Sequence, residues 1–116
     1  MAWQRVAESP AIVADQFIFI RAGKREIGVT RRDGALFAIL NYCPHAGAPI
    51  CAGKIELAVC SDHPGHSGRD PNKPVLRCPW HHWEFVLADG MPLCGSAGRL
   101  KLYPTKELDG WVWVDV

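Results

Sequence analysis

The chain has 116 residues, a formal net charge of +1 and 48% hydrophobic residues. This length is that of one domain, and the small net charge argues against nucleic-acid binding driven by phosphate neutralisation. The longest apolar run, 35–40, is far shorter than the roughly 20 residues that cross a bilayer. Residues 1–10 lack the basic start and apolar core of a signal peptide. We therefore expect a cytoplasmic protein that binds neither nucleic acid nor membrane.

The predicted elements are almost all β-strands. In chain order they cover 3–7, 17–21, 25–31, 35–41, 55–59, 75–77, 84–87, 91–93, 101–106 and 111–116. Asp-Gly pairs at 33–34, 89–90 and 109–110 separate apolar runs, which is a strong hairpin signal. No stretch keeps a 3.6-residue period, so we expect little helix. Many short strands with regular turns indicate a sandwich or a small barrel.

A long connection, 60–74, separates two of these predicted strands. It is rich in Gly and Pro, so we expect a flexible polar loop. Its Cys60, His63 and His66, together with Cys51, offer the ligands of a second metal site of Cys2His2 type. The interpretation that we favour is a loop that contacts a partner, because surface loops often carry function.

Two short boxes contain the residues best suited to metal binding, CPH at 43–45 and CPWH at 78–81. Each offers one thiolate and one imidazole beside a proline that stiffens the loop. Zinc sites usually pair ligands two to four residues apart. The single residue between Cys43 and His45 is short for that, and it suits two ligands that reach neighbouring irons of one cluster. Five Cys without an export signal also favour metal ligation over disulfides.

The segments CPHAGAPICAGKI and RCPWHHWEF resemble a Rieske domain, and the small Rieske ferredoxins in particular. The resemblance implies an all-β fold, a Rieske-like antiparallel β-sandwich with a small cluster-binding subdomain at one tip. It implies a single domain over 1–116, with the cluster-binding part at about 41–93. The implied cofactor is a [2Fe-2S] cluster of the Rieske type, with Cys43 and Cys78 on one iron and His45 and His81 on the other.

This ligand set has a direct electrostatic consequence. Two ferric irons, two sulfides and two thiolates sum to zero charge, whereas a cluster held by four Cys starts at −2. Adding an electron therefore costs less, and Rieske potentials lie at about −150 to +300 mV against about −400 mV for plant-type ferredoxins. Respiratory Rieske proteins, which the chain also resembles, have a Ser and a Tyr at the positions of Trp83 and Phe85. Because neither of these supplies a hydroxyl to a cluster sulfur, we expect a potential at the low end.

The respiratory proteins also join their two cluster loops by a disulfide. Its two Cys would fall at Ala48 and Trp80 here, and both are absent. The resemblance therefore favours the soluble ferredoxin class.

By resemblance, the chain carries single electrons from a flavin-containing reductase to a terminal oxygenase. We expect no enzyme activity and assign no catalytic residue, because a fully ligated cluster has no open position for a substrate. Oxygenase catalytic subunits also need a mononuclear iron site of two His and a carboxylate, in a further domain for which 116 residues leave no room. The alternatives are a non-catalytic or regulatory Rieske subunit of an oxygenase system, and a zinc-bound structural module.

Several side chains beside the boxes have two interpretations. His82 stands where the family usually has Gly; we expect it to face solvent, and the alternative is a slipped ligand register. Trp80, Trp83 and Phe85 are expected both to exclude water from the cluster and to fill the core. We expect Cys94 to be a small buried residue and not a ligand.

Two further groups lie away from the boxes. Trp111 and Trp113 alternate on one face of the last predicted strand and are expected to be core residues. The basic residues that frame one hairpin are expected to form a solvated face, and a docking patch is the alternative. They are Lys24, Arg25, Arg31 and Arg32.

Overall fold

The computed structural model describes residues 2–44, 47–63, 66–80, 83–93 and 98–116, with the backbone alone for 59–63 and 66–72. These residues contain strands and short 3-10 turns but no α-helix. The strands are β1 (Trp3–Glu8), β2 (Ile18–Ala22), β3 (Arg25–Arg32), β4 (Ala35–Leu40), β5 (Lys54–His63), β6 (His66–Arg77), β7 (Glu84–Val86), β8 (Leu102–Tyr103), β9 (Thr105–Leu108) and β10 (Trp111–Asp115). The 3-10 turns are Ser9–Ala11 and Ile50–Ala52.

The strands form three sheets, in the orders β1-β10-β9, β2-β3-β4-β8 and β5-β6-β7. Every pair of neighbouring strands is antiparallel. The all-β antiparallel fold and the low helix content are thereby confirmed for the described residues. No helix in this part of the chain is long and apolar enough to cross a membrane.

The chain divides into two compact units. The first combines Met1–Asn41 with Lys101–Val116 and contains the first two sheets, while the second is Tyr42–Leu100 and contains the third sheet. Both Cys of the two boxes belong to the second unit. That the whole chain is one domain, with its cluster-binding part at 41–93, stays a prediction.

The core of the first unit draws on both of its sheets. Alternate residues of β10, Val112 and Val114, are fully buried, and they pack in one cluster with Ile27 and Val29 of β3. A strand sends successive side chains to opposite faces, so Trp111 and Trp113 lie on the other face of β10. The prediction that these two Trp are core residues is wrong.

The Trp face of β10 is instead covered by cations. The Arg5 guanidinium lies 4.3 Å from the centre of the Trp111 ring, and the Lys106 ammonium lies 5.8 Å from that of Trp113. Aromatic rings attract cations over their faces, and long basic side chains cover apolar surface with their stems. Alternation alone did not show which apolar set is buried, because both faces of β10 are apolar in sequence.

The predicted turns differ in their geometry. Asp33 and Gly34 have φ values of 51° and 81°, and Asp109 and Gly110 have 52° and 79°. Two successive positive φ values define the hairpin turn that Asp-Gly favours, so both hairpins are confirmed. After Gly90, the predicted strand 91–93 is wrong: its pairing is one isolated bridge between Pro92 and Phe85. Proline has no N–H to extend such a ladder.

The described part of the connection 60–74 belongs to strands β5 and β6, so the prediction of a flexible loop is wrong. Residues 58–60 of β5 pair with 68–70 of β6. The register shifts between two successive residues of β5: Leu57 pairs with Pro74, whereas Ala58 pairs with Asp70. Residues 71–73 are therefore left as a bulge in β6. Bulges tolerate the missing N–H of a proline, and Pro71 falls in this one. The Gly and Pro content therefore indicated irregular pairing and not the absence of pairing.

The basic residues of the β2–β3 hairpin have two different roles. The Arg31 guanidinium donates to both carboxylate oxygens of Glu107, at 3.0 and 3.2 Å, and to the carbonyl oxygens of Ser9 and Ile12. Arg32 donates to the Asp15 carboxylate at 2.7 Å. These two side chains join segments within the first unit, so for them the solvated-face prediction is wrong. Lys24 is exposed, as expected.

The Arg31–Glu107 pair predicts a pH dependence of stability. The hydrogen bonds from Arg31, and to a lesser extent from Ser9, lower the pKa of Glu107, and the same pairing raises the pKa of Arg31. A carboxyl whose pKa is lower in the folded protein stabilises it above the unfolded pKa of about 4.3 and loses that contribution as pH falls through the folded pKa. Glu107→Gln should therefore lower the urea midpoint at neutral pH and change it little in strong acid.

The control for this prediction is Glu8→Gln, which removes an exposed carboxylate that has no ion pair among the described residues. Its urea midpoint should follow that of the wild type at both pH values. A Glu107→Gln effect that is as large in acid as at neutral pH would contradict the ionic origin of this contribution.

Candidate metal centre

The first box follows β4 and forms a loop closed by its own backbone. The Cys43 side chain is fully buried, and the Cys43 N–H donates to the Ala48 carbonyl oxygen at 2.7 Å. The Gly47 N–H donates back to the Cys43 carbonyl oxygen, also at 2.7 Å. Gly47 has a φ of 74°, and a methyl group there would lie 3.2 Å from the Tyr42 ring. Glycine is therefore required where the loop turns beneath Tyr42.

The second box follows β6 and is closed in the same way. The Cys78 side chain is fully buried, and the Cys78 N–H donates to the Trp83 carbonyl oxygen at 2.7 Å. In both boxes the Cys amide is thus bonded to the carbonyl five residues later. His45 and His81, the predicted imidazole ligands, lie within these two loops in sequence but outside the described residues, as does His82.

The two described ligand positions fit an iron–sulfur cluster. Both thiols are fully buried, as ligands of a cluster shielded from water should be. Each occurs in a short loop whose closing hydrogen bond fixes the backbone of the Cys. Two soft thiolates, with at least one imidazole in the sequence of each loop, supply the donor types of a Rieske centre. Assignment of Cys43, His45, Cys78 and His81 as the four ligands stays a prediction.

The backbone that leads into Cys78 is held by a close approach of two segments. Gly53 follows the turn Ile50–Ala52, and a methyl group at Gly53 would overlap the carbonyl oxygen of Arg77. Its φ of −77° suits any residue, so glycine is required here by space alone. Beside this contact is a cavity of about 260 Å³, lined by Ala52, Gly53, Lys54, Arg77, Cys78 and Pro79.

The aromatic residues near the second box differ in burial. Phe85 is fully buried, Trp83 is half-buried and Trp80 is 55% exposed. The expectation that all three fill the core is therefore confirmed for Phe85 and wrong for Trp80. Sequence reasoning also missed Tyr42, which is 54% exposed and precedes Cys43 directly. The available signal was an aromatic residue adjacent to a predicted ligand in each box.

The structure describes only one side chain among the other Cys and His candidates. Cys51 is buried in the turn Ile50–Ala52. The side chains of Cys60, His63 and His66 lie outside the described residues, so the second metal site stays a hypothesis. Cys94 also lies outside them. Gly98, a residue that sequence reasoning did not single out, approaches the first box: a methyl group there would lie 3.5 Å from Pro44 Cβ.

Comparison with known families identifies the class of protein that this fold and these boxes define. The model of the Rieske [2Fe-2S] domain matches residues 2–104. The chain belongs to this family, and its cofactor is a [2Fe-2S] cluster.

Individual relatives extend the comparison. The chain is 29% identical over 92 residues to the ferredoxin subunit of 3-phenylpropionate/cinnamic acid dioxygenase from Photorhabdus laumondii. The aligned segment covers 78% of this chain and 73% of that protein. It is 27% identical over 89 residues to a cholesterol 7-desaturase from Xenopus laevis, but these span only 16% of the desaturase and 71% of this chain.

Solved structures share the fold. A small subunit described as that of an NADH-dependent nitrite reductase from Mycobacterium tuberculosis matches with a TM-score of 0.76 at 18% identity, over 97% of this chain and 93% of that one. A chain in the complex of oxygenase and ferredoxin of carbazole 1,9a-dioxygenase matches with a TM-score of 0.73 at 21% identity. The match covers 97% of this chain and 91% of that one. At these identities the likeness shows the fold alone.

The ligand register is tested by two neighbouring substitutions. His81→Ala should abolish the visible absorption and the reduced-state EPR signal of the cluster, because it removes one of four predicted ligands. His82→Ala should retain both, together with iron and acid-labile sulfide in the ratio of a [2Fe-2S] cluster. The reverse pattern would show that the register is slipped by one residue.

Gly53→Ala should weaken the cluster site through the backbone. The added methyl group must displace the Arg77 carbonyl, at a cost of about 1–3 kcal/mol for overpacking, and this strand leads directly into Cys78. Iron content per chain and the urea midpoint should both fall. The control is Gly23→Ala, where the φ of 65° strains an alanine backbone but a methyl group meets no described atom within 4 Å. That change should lower the urea midpoint and leave the iron content unaltered. Equal iron contents in the two variants would contradict the prediction.

Proposed function

We propose that this protein is a one-electron carrier that accepts electrons from a flavin-containing reductase and delivers them to a terminal oxygenase. The observation that carries the proposal is the pair of fully buried Cys, each held by the same closing hydrogen bond, in a chain of the Rieske [2Fe-2S] family. The relative named as a ferredoxin subunit of a dioxygenase supports the oxygenase as acceptor. The reductase is inferred from the resemblance alone.

In this proposal, Cys43 and Cys78 hold one iron, and His45 and His81 hold the other. The bound cluster supplies a centre that takes up and releases one electron. The chain provides a dry environment, since both thiols are fully buried and Phe85 beside the second box is fully buried as well. Because a fully ligated cluster has no open position for a substrate, the protein acts as a carrier and not as an oxygenase.

Two amides and one side chain among the described residues of the boxes favour a low reduction potential. Hydrogen bonds to cluster sulfurs are among the factors that set the potential. The amides of Cys43 and Cys78 donate to the carbonyls of Ala48 and Trp83, so they are not available to a sulfur. The side chain of Phe85 has no hydrogen-bond donor. These features favour the lower end of the Rieske range.

Exposed aromatic residues beside both boxes support protein–protein electron transfer. Tyr42 precedes the first ligand Cys and Trp80 follows the second box's Cys-Pro, and more than half of each side chain is exposed. Tyr and Trp are enriched in protein interfaces and often dominate their energetics. A carrier must dock transiently near its redox centre, and these side chains offer apolar contact area at that position.

A second candidate is the Rieske part of a larger oxygenase or desaturase system. The match to 16% of a cholesterol 7-desaturase favours it. In that case the electron would pass within one stable assembly, and the chain would not shuttle between two separate proteins.

An electron-transfer assay tests the proposal. The protein, the flavin-containing reductase of a dioxygenase system and NADH should together reduce cytochrome c at least about tenfold faster than the reductase alone, since this chain supplies the one-electron step. Cys78→Ser, which removes one predicted ligand, is the control and should give no acceleration. Voltammetry should show a potential toward about −150 mV.

Three outcomes distinguish the candidates. A positive potential of respiratory size would contradict the hydrogen-bond argument. A protein that contains a reducible cluster but does not accelerate transfer between the two separate proteins would favour the second candidate. The absence of any reducible cluster would overturn both.

A further inference from the structure

The cavity beside Cys78 contains a pair of like charges. Lys54 of β5 and Arg77 of β6 are direct cross-strand partners, and both line the cavity of about 260 Å³. Side chains directly opposite each other on antiparallel strands share one face, and like charges in such positions destabilise the sheet. A cationic pair at this position therefore costs stability unless an anion is present.

Two carboxylates, those of Glu56 and Glu84, lie beside Arg77, and among the described residues neither forms an ion pair with Lys54. Glu56 accepts a hydrogen bond from Arg77 Nη2 at 3.1 Å. Among the described residues, the buried Arg77 Nε has no hydrogen-bond partner, and neither has one buried oxygen of Glu84, the cross-strand neighbour of Arg77 on β7. Lys54 is exposed and has no hydrogen bond or ion pair among the described residues. Lys54 is thus a cation that borders the cavity without an ion pair among the described residues.

The position of this charge relates it to electron transfer. The cavity is also lined by Cys78 and by the exposed Pro79, and the exposed Trp80 follows directly in sequence. A group that enters the cavity therefore comes close to a predicted cluster ligand. The exposed Pro79 and Trp80 add apolar and aromatic surface next to the cavity. An apolar and aromatic patch with a charged side chain at its edge is typical of docking interfaces.

We propose that this cavity receives a carboxylate side chain of the electron-accepting protein, which pairs with Lys54 and relieves its repulsion with Arg77. The inference rests on the proposed function, because it identifies the chemistry of the acceptor's docking surface: an Asp or Glu beside apolar residues. An ion pair at the rim of an interface mainly raises the association rate and orients the partner. It is also screened by salt.

The experiment measures electron transfer by stopped flow from the reduced, cluster-loaded protein to cytochrome b5, used as an acidic acceptor. Lys54→Glu should lower the second-order rate constant about tenfold at low ionic strength, as expected when a steering charge is reversed. Lys54→Gln should have an intermediate effect. The matched control is Lys24→Glu, which makes the same charge change at an exposed lysine of the first unit and should alter the rate less than about twofold.

Further readouts separate docking from effects on the cluster. The visible spectrum and the reduction potential of Lys54→Glu should equal those of the wild type. Its rate of transfer to cytochrome b5 should converge with the wild-type rate at high salt. Its transfer to cytochrome c, a basic acceptor, should be faster than that of the wild type. Equal rate constants for Lys54→Glu and Lys24→Glu would overturn the inference.

A second test adds citrate at low concentration and matches the ionic strength of the control with chloride. If citrate slows electron transfer by the wild type, the cavity binds a free anion, and the inference is overturned. A wild-type protein that transfers electrons to no acceptor would instead contradict the proposed function.

Discussion

The structure of the candidate centre depends on one backbone hydrogen bond that occurs twice. In each box, the N–H of the Cys bonds to the carbonyl oxygen five residues later, Cys43 to Ala48 and Cys78 to Trp83. The bond satisfies an amide that would otherwise be buried without a partner. It also fixes the Cys at the base of a short loop. Both thiols are fully buried, and the sequence of each loop contains at least one histidine.

Close packing around these loops limits which residues are tolerated. Gly47 turns beneath the Tyr42 ring, Gly53 leaves space for the Arg77 carbonyl, and Gly98 approaches Pro44. None of these glycines has a side chain that could ligate iron, yet a side chain at Gly53 would displace the strand that leads into Cys78. The site is therefore held by the shape of its backbone as much as by its ligands, in agreement with the general importance of residues that position metal ligands.

Charges have different roles in the two units. In the first, Arg31 and Arg32 are bound to Glu107 and Asp15, and cations cover the Trp face of β10. In the second, Lys54 stands opposite Arg77 and borders a cavity. Paired charges contribute to the structure of their own unit, whereas an exposed lysine without an ion pair among the described residues is the kind of charge that our proposal assigns to a partner. Surface composition alone does not separate these two cases.

The sequence by itself determined the family, the all-β class and the Asp-Gly hairpins at 33–34 and 109–110, because the spacing within the boxes and turn chemistry are local properties. Tertiary structure decided what depends on distant neighbours. Trp111 and Trp113 lie opposite the core because Val112 and Val114 meet β3, and 60–74 pairs as strand because a bulge accommodates Pro71. The cavity at Lys54 forms only when β5 pairs with β6. Local pattern specifies which elements form, but which face is buried and which charges meet depends on register and packing between segments far apart in the chain.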